Sequence, residues 1–119
     1  MEMTLKQYEI WLINLDPAIG AEIKKTRPCV IISNNDIGIL PLKIVAPLTD
    51  YKPHYDKNPW MLTVTPDHIN NLDKKSVIDL FQLRSISEIR FIRKLGNLNP
   101  KTAASIPQTL EMIFEPEIH

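Results

Sequence analysis

Pro28-Cys29-Val30-Ile31-Ile32-Ser33 is the most apolar short run in the chain, and Arg27 stands directly in front of it. A short, continuous apolar run bounded by polar residues fits a strand buried on both faces better than a half-exposed one. Outward on the N-terminal side lies Gly20-Ala21-Glu22-Ile23-Lys24-Lys25-Thr26, a polar loop that brings a glycine, a carboxylate and two ammonium groups close to the guanidinium. Outward on the other side, Lys43-Ile44-Val45-Ala46-Pro47-Leu48 forms a second apolar run that ends in a hydroxyl, Thr49, before another polar loop. Each strand therefore delivers one polar group at an end: a fixed cation and an alcohol.

The rest of the chain divides in the same manner. Residues 8–14 are aromatic and β-branched, and Asp16-Pro17 terminates them, so a first strand is expected there. The second strand is 28–33, followed by a turn or short helix cap at Asn34-Asn35-Asp36, and the third is 44–49. Residues 50–59 mix polar and aromatic side chains without a period, which predicts a loop. Residues 60–65 restore strand character and Pro66-Asp67 closes them. Beyond the Asp73-Lys74-Lys75 turn, 76–86 alternates imperfectly, as one strand with a kink or bulge would. Residues 90–95 give a last short strand before Gly96.

Asn99-Pro100 has the cap-then-proline order that starts helices, and Leu110, Ile113 and Phe114 supply an apolar face. Pro107 inside that helix is expected to kink or split it, at a cost of about 3 kcal/mol in an unbroken helix. Ser105-Ile106-Pro107-Gln108 has capping-box spacing and offers a restart. Several short strands and one terminal helix imply a mostly β fold, a small antiparallel barrel with a C-terminal α-helix.

Composition narrows the function classes. At 119 residues and 44% hydrophobic content the chain has material for one core, so a single domain over 1–119 is expected. No stretch approaches the roughly 18 apolar residues of a membrane span, and Met1-Glu2-Met3-Thr4-Leu5-Lys6 lacks a secretory core, which predicts a cytoplasmic protein with no membrane partner. Cys29 is the only cysteine, so no intrachain disulfide can form, and its apolar setting makes it a buried small hydrophobe. His54, His68 and His119 are far apart and no His/Cys spacing suits zinc, so neither metal nor cofactor is expected. Fourteen Lys and Arg balance 14 Asp and Glu, which excludes a global positive field; any nucleic-acid contact must be local. Lys24, Lys25 and Arg27 are such a local patch, whereas Arg90, Arg93 and Lys94 are more simply solvated charges. Trp11 and Trp60 sit inside strand runs and are expected in the core.

In order along the chain stand Gly20-x-Glu22-x4-Arg27-Pro28, Val30-Ile31-Ile32-Ser33, Pro47-Leu48-Thr49 and Gln82-Leu83-Arg84-Ser85-Ile86. Together they resemble the MazF/PemK (Kid) toxins of bacterial toxin–antitoxin pairs, over nearly the whole chain from about Tyr8 to Phe114. The resemblance implies an SH3-like barrel that pairs into a homodimer. It implies a growth-arresting toxin that cleaves single-stranded RNA such as mRNA, selectively and without metal, leaving 2′,3′-cyclic phosphate and 5′-hydroxyl ends. A cognate antitoxin, laid along the RNA groove, would block it.

That chemistry suits the residue types. RNA carries its own nucleophile, the 2′-hydroxyl, so a protein need only remove its proton, stabilise charge on phosphorus and let the 5′-oxygen leave. The resemblance puts Arg27 and Thr49 at catalytic positions, the guanidinium facing the phosphorane oxygens and the hydroxyl holding the phosphate. Glu22 either orients Arg27 or accepts the 2′-proton. Lys24 and Lys25 suit flanking phosphates, and Gln82 either a base or a neighbouring loop. Tyr51 and His54, with Tyr55, either stack on unpaired bases or pack against the barrel. Without the resemblance, Arg27 paired to Asp16 or Glu22 and Thr49 as a strand-end hydroxyl are the ordinary readings. The alternative functions are a CcdB-like barrel that poisons DNA gyrase by binding it, and a plain RNA- or protein-binding barrel.

Overall fold

The structure is a computed structural model, and it describes residues 4–37 and 41–117. Met1, Glu2, Met3 and His119, used above, lie outside the described residues. Seven strands and one helix follow in order: β1 Glu9–Asn14, β2 Thr26–Ile31, β3 Leu42–Asp50, β4 Met61–Val64, β5 Ser76–Asp79, β6 Arg84–Ser87, β7 Phe91–Asn97 and α1 Pro100–Ile113. Short 3-10 turns occupy Pro53–Lys57, Leu80–Gln82 and Glu88–Arg90.

Every pairing is antiparallel, in the order β4-β5-β3-β2-β1-β7, with β6 also on β3. The nine-residue β3 is the shared strand. Leu42 to Val45 face β6, Val45 to Pro47 face β2, and Leu48 to Asp50 face β5. Serving three partners in succession, β3 lets one sheet bend into a barrel-like shell, although among the described residues no ladder joins β4 to β7.

The bend encloses apolar side chains on both surfaces, which explains why the 28–33 run does not alternate. Val30 and Ile32 join Ile10, Ala46, Leu48 and Ile78 under Ala103 and Ile106 of α1. Cys29 and Ile31 point the other way, to Trp11, Ile13, Leu15, Val45, Ile86 and Phe91. Fully burying one such aliphatic side chain is worth about 1.5–3 kcal/mol, so neither face of β2 tolerates a polar substitution.

Several expectations are corrected. The second strand runs Thr26–Ile31 rather than 28–33, because β1 pairs with it as far as Asn14↔Thr26. Residues 50–59 are not simply a loop: Pro53 fixes φ at the start of a 3-10 turn over Pro53–Lys57. The 76–86 segment holds two strands instead of one bulged strand. The buried Asp79 side chain accepts the Phe81 N–H at 3.1 Å and caps a 3-10 turn, so the chain leaves β5 and returns as β6 on the same β3.

The helix starts where the sequence indicates, with Asn99 Oδ1 accepting from Thr102 N at 2.8 Å and Pro100 in the first turn. It then runs through Pro107 without splitting. Pro107 lies on the exposed face, while Ala103, Ile106 and Leu110 on either side of it pack on one cluster and hold both halves in line. Phe114 is 69% exposed and does not belong to the packed face. Trp11 is buried as expected, but Trp60 is only partly buried, resting against the exposed ring of Phe81 with centroids 6.1 Å apart.

Candidate active site

Arg27 is the second residue of β2, opposite Ile13 of β1. On its other side, the β2–β3 ladder has Cys29 opposite Pro47 as its last pair, after which β3 turns to β5, with Thr49 opposite Val77. Arg27 and Thr49 each lie two residues beyond that last pair, on strands that are no longer bonded to each other there. Side chains alternate across a strand, so both belong to the Cys29 face. The two strands part at the point where the cation and the hydroxyl stand, and both residues are partly exposed there.

Arg84 joins the same face from β6, where it pairs with Val45. Burial pushes the Cys29 thiol up to about 12, with Arg84 and Arg27 opposing it electrostatically. Cys29 is therefore a buried, inert thiol.

The loop before β2 is shaped by Gly20 at φ 62° and Lys25 at φ 71°, both in the left-handed region. Leu15 N donates to Lys25 O at 2.9 Å and closes its base. Three side chains secure it. Gln82 Oε1 accepts from Ile23 N at 2.7 Å while its Nε2 donates to Ala21 O at 3.4 Å, clipping the loop to the turn between β5 and β6. Arg84 Nη1 donates to Leu15 O at 2.9 Å, and Arg90 Nη1 donates to Asn14 O and Asp16 O.

Arg27 Nε donates to Lys24 O at 3.3 Å, and among the described residues no carboxylate lies within ion-pair distance of its guanidinium. The two carboxylates that sequence offered as partners are engaged otherwise. Asp16 Oδ1 accepts from Lys25 N at 2.8 Å, and Glu22 Oε1 accepts from Ile19 N at 2.6 Å. Lys24 and Lys25 are exposed on the outside of the same loop.

Tyr51 and His54 have neighbours of their own. The Tyr51 hydroxyl donates to Asp56 Oδ2 at 2.6 Å, a bond that pushes the phenol pKa up, and Lys75 Nζ lies 4.0 Å from the ring centroid. The His54 ring meets Tyr55 edge-on at 4.6 Å.

Between the loop and the β5–β6 turn lies a cavity of about 350 Å³ lined by Ala21, Glu22, Phe81, Gln82, Leu83 and Arg84. A larger one, about 630 Å³, is lined by Leu12, Pro28 and Arg93, which alternate with Ile13 and Arg27 and so face the opposite side of the sheet. Sequence reasoning singled out Glu22 and Gln82, quoted Arg84 within a motif without giving it a role, took Arg90 for a solvated charge and passed over Phe81. Arg84 had a signal, a cation within a strand-like run; Arg90 had none.

A bent antiparallel sheet carrying one C-terminal helix is the architecture of solved MazF toxins. MazF from Deinococcus radiodurans superposes with a TM-score of 0.78 at 19% identity, over 97% of this chain and 100% of that one. An endoribonuclease from a mycobacterial species, in complex with its cognate antitoxin, gives 0.75 at 15% identity, over 97% and 100%. The chain belongs to the PemK-like, MazF-like toxin family of type II toxin–antitoxin systems, whose family model matches residues 6–114. Its relatives include the endoribonuclease MazF9 of Mycobacterium tuberculosis, 26% identical over 114 residues that cover 91% of this chain and 94% of the relative. The endoribonuclease EndoA of Bacillus subtilis is 28% identical over 112 residues, covering 92% and 94%. Among the described residues no helix is long and apolar enough to cross a membrane.

Proposed function

We propose that this chain is the toxin of a type II pair and acts as an endoribonuclease on single-stranded RNA in the cytoplasm, using its own side chains to promote attack of the 2′-oxygen on the adjacent phosphorus. The observation that carries the reading is the fork of β2 and β3, which presents on one face an alcohol and a guanidinium that has no carboxylate partner among the described residues. A guanidinium paired to Asp16 or Glu22 would already be neutralised; this one keeps its charge for an incoming phosphate.

In the reaction the 2′-oxygen forms a bond to phosphorus as its proton departs, and the bond to the 5′-oxygen breaks, with that oxygen taking a proton from water. The products are a 2′,3′-cyclic phosphate and a 5′-hydroxyl. Arg27 stabilises the phosphorane oxygens by electrostatics, and Thr49 donates its hydroxyl to the same phosphate. Glu22 makes no ion pair with Arg27, which favours the role of proton acceptor over that of orienting group. Lys24 and Lys25 hold flanking phosphates, where they affect affinity and its salt dependence more than bond breaking. Gln82 spends its amide on the loop. Tyr51 and His54 contact RNA at the rim.

An acidic segment of a cognate antitoxin would meet the same Lys24–Lys25–Arg27 patch, and the active form is a homodimer. Membership of the MazF-like family does not favour the gyrase-binding alternative. Purified protein is incubated with uracil-rich single-stranded RNA in EDTA. The expected result is fragments with 5′-hydroxyl ends, reduced about 10²–10³-fold in rate by Arg27→Ala and strongly by Thr49→Ala. Intact RNA together with inhibited gyrase supercoiling would show the proposal to be wrong.

A further inference from the structure

Phe81 is a large aromatic side chain left 70% exposed on a strongly held turn. Its N–H is bonded to the buried Asp79 carboxylate, and its ring lies beside Trp60 at an interplanar angle of 57°. Phe81 lines the 350 Å³ cavity, together with Ala21 and Glu22 of the loop that leads into β2. Two of the other lining groups are charged. Glu22 uses one carboxylate oxygen on Ile19 N and Arg84 one nitrogen on Leu15 O, so each retains hydrogen-bonding capacity beside a space roomy enough to admit a base. A flat apolar surface flanked by an acceptor and a donor is the chemistry that holds a splayed-out nucleobase.

Resting on the nuclease reading, we propose that Phe81 is the stacking platform for one unpaired base of the substrate, next to the phosphate held by Arg27, and that this cavity sets the base preference at that position. Arg84 then reads the edge of the stacked base. Trp60, beneath Phe81, fixes the tilt of the ring.

The test uses an uncleavable RNA carrying a 2′-deoxy sugar at the scissile position, with 2-aminopurine walked along it, because stacking on an aromatic ring quenches that fluorophore. Wild type is expected to quench strongly at one position. Phe81→Ala is expected to abolish the quench, weaken Kd about tenfold and flatten the base preference in sequenced cleavage products, while Phe81→Trp restores all three. The exposed position makes misfolding a minor concern, and circular dichroism of each variant checks it. Unchanged quenching, Kd and preference in Phe81→Ala overturn the assignment while the nuclease reading stands. Wild-type protein that neither binds nor cleaves RNA overturns both.

Discussion

Replacing Gln82 by leucine removes both ends of the clip between the Arg27 loop and the β5–β6 turn at nearly constant volume. The 2.7 Å bond from Ile23 N is short, whereas the 3.4 Å bond to Ala21 O is long and contributes little. A net hydrogen bond is worth about 0.5–1.5 kcal/mol, and a partly buried N–H left without an acceptor adds to the loss. The loop should therefore open more easily by about 1–2 kcal/mol, which corresponds to roughly a 5- to 30-fold larger open population. Native-state amide exchange followed by NMR reads this at one proton: protection of the Ile23 amide falls by that factor, while the amide of Val30, deep in β2, keeps its protection. Cleavage should slow without any change in the ends produced. An unchanged Ile23 exchange rate in a folded Gln82→Leu protein would refute the idea that this amide holds the catalytic loop.

Asp79→Asn keeps an oxygen to cap Phe81 N but removes a charge from a buried site. Burial pushes the Asp79 carboxyl up, and hydrogen bonding to Phe81 and Gln82 only partly opposes it. Because the folded value is raised, this group's stabilising contribution is fully present below its unfolded pKa and is lost as pH rises through the folded one. The Asn variant should thus melt higher than wild type near pH 7, with the gap shrinking as pH falls into the carboxylate range; a lower Tm at neutral pH would contradict this. At Gly96 a Cβ would stand 2.3 Å from Ile69 O and 2.7 Å from Asn70 O, both backbone atoms. Gly96→Ala should then cost about 3 kcal/mol or more in urea unfolding, and a loss under about 1 kcal/mol would mean that the 69–70 backbone yields.

The buried framework was legible because hydrophobic pattern is a local property. The 28–33 run, the 44–49 run and the Asn99-Pro100 helix start each announce themselves within a few residues, and each became the element expected, within the usual shift at its ends. What failed was set by distant partners. The two strands within 76–86 are separate because both bind β3, a fact with no local trace, and Pro107 is tolerated because packing from Ala103, Ile106 and Leu110 outweighs its missing donor. In the candidate site, Arg27, Thr49, Glu22 and Gln82 were singled out through the order of the motifs. The placing of Arg27 and Thr49 on one face follows from a strand register that sequence does not state, and Phe81 went unseen because an exposed Phe looks like any other apolar residue in a run.

The open rims of the sheet carry a last consequence. Unpaired backbone along a border strand is a template on which another chain can extend the ladder, the first step toward fibrous aggregates. Here one border, β4, is only four residues long and is bracketed by Pro59 and Pro66, while another, β7, carries the exposed Arg93. A copy arriving rim to rim meets a proline stop at one side and a guanidinium facing its own kind at the other. Concentrated protein should stay dispersed or join through its broad surfaces, and not polymerise strand by strand.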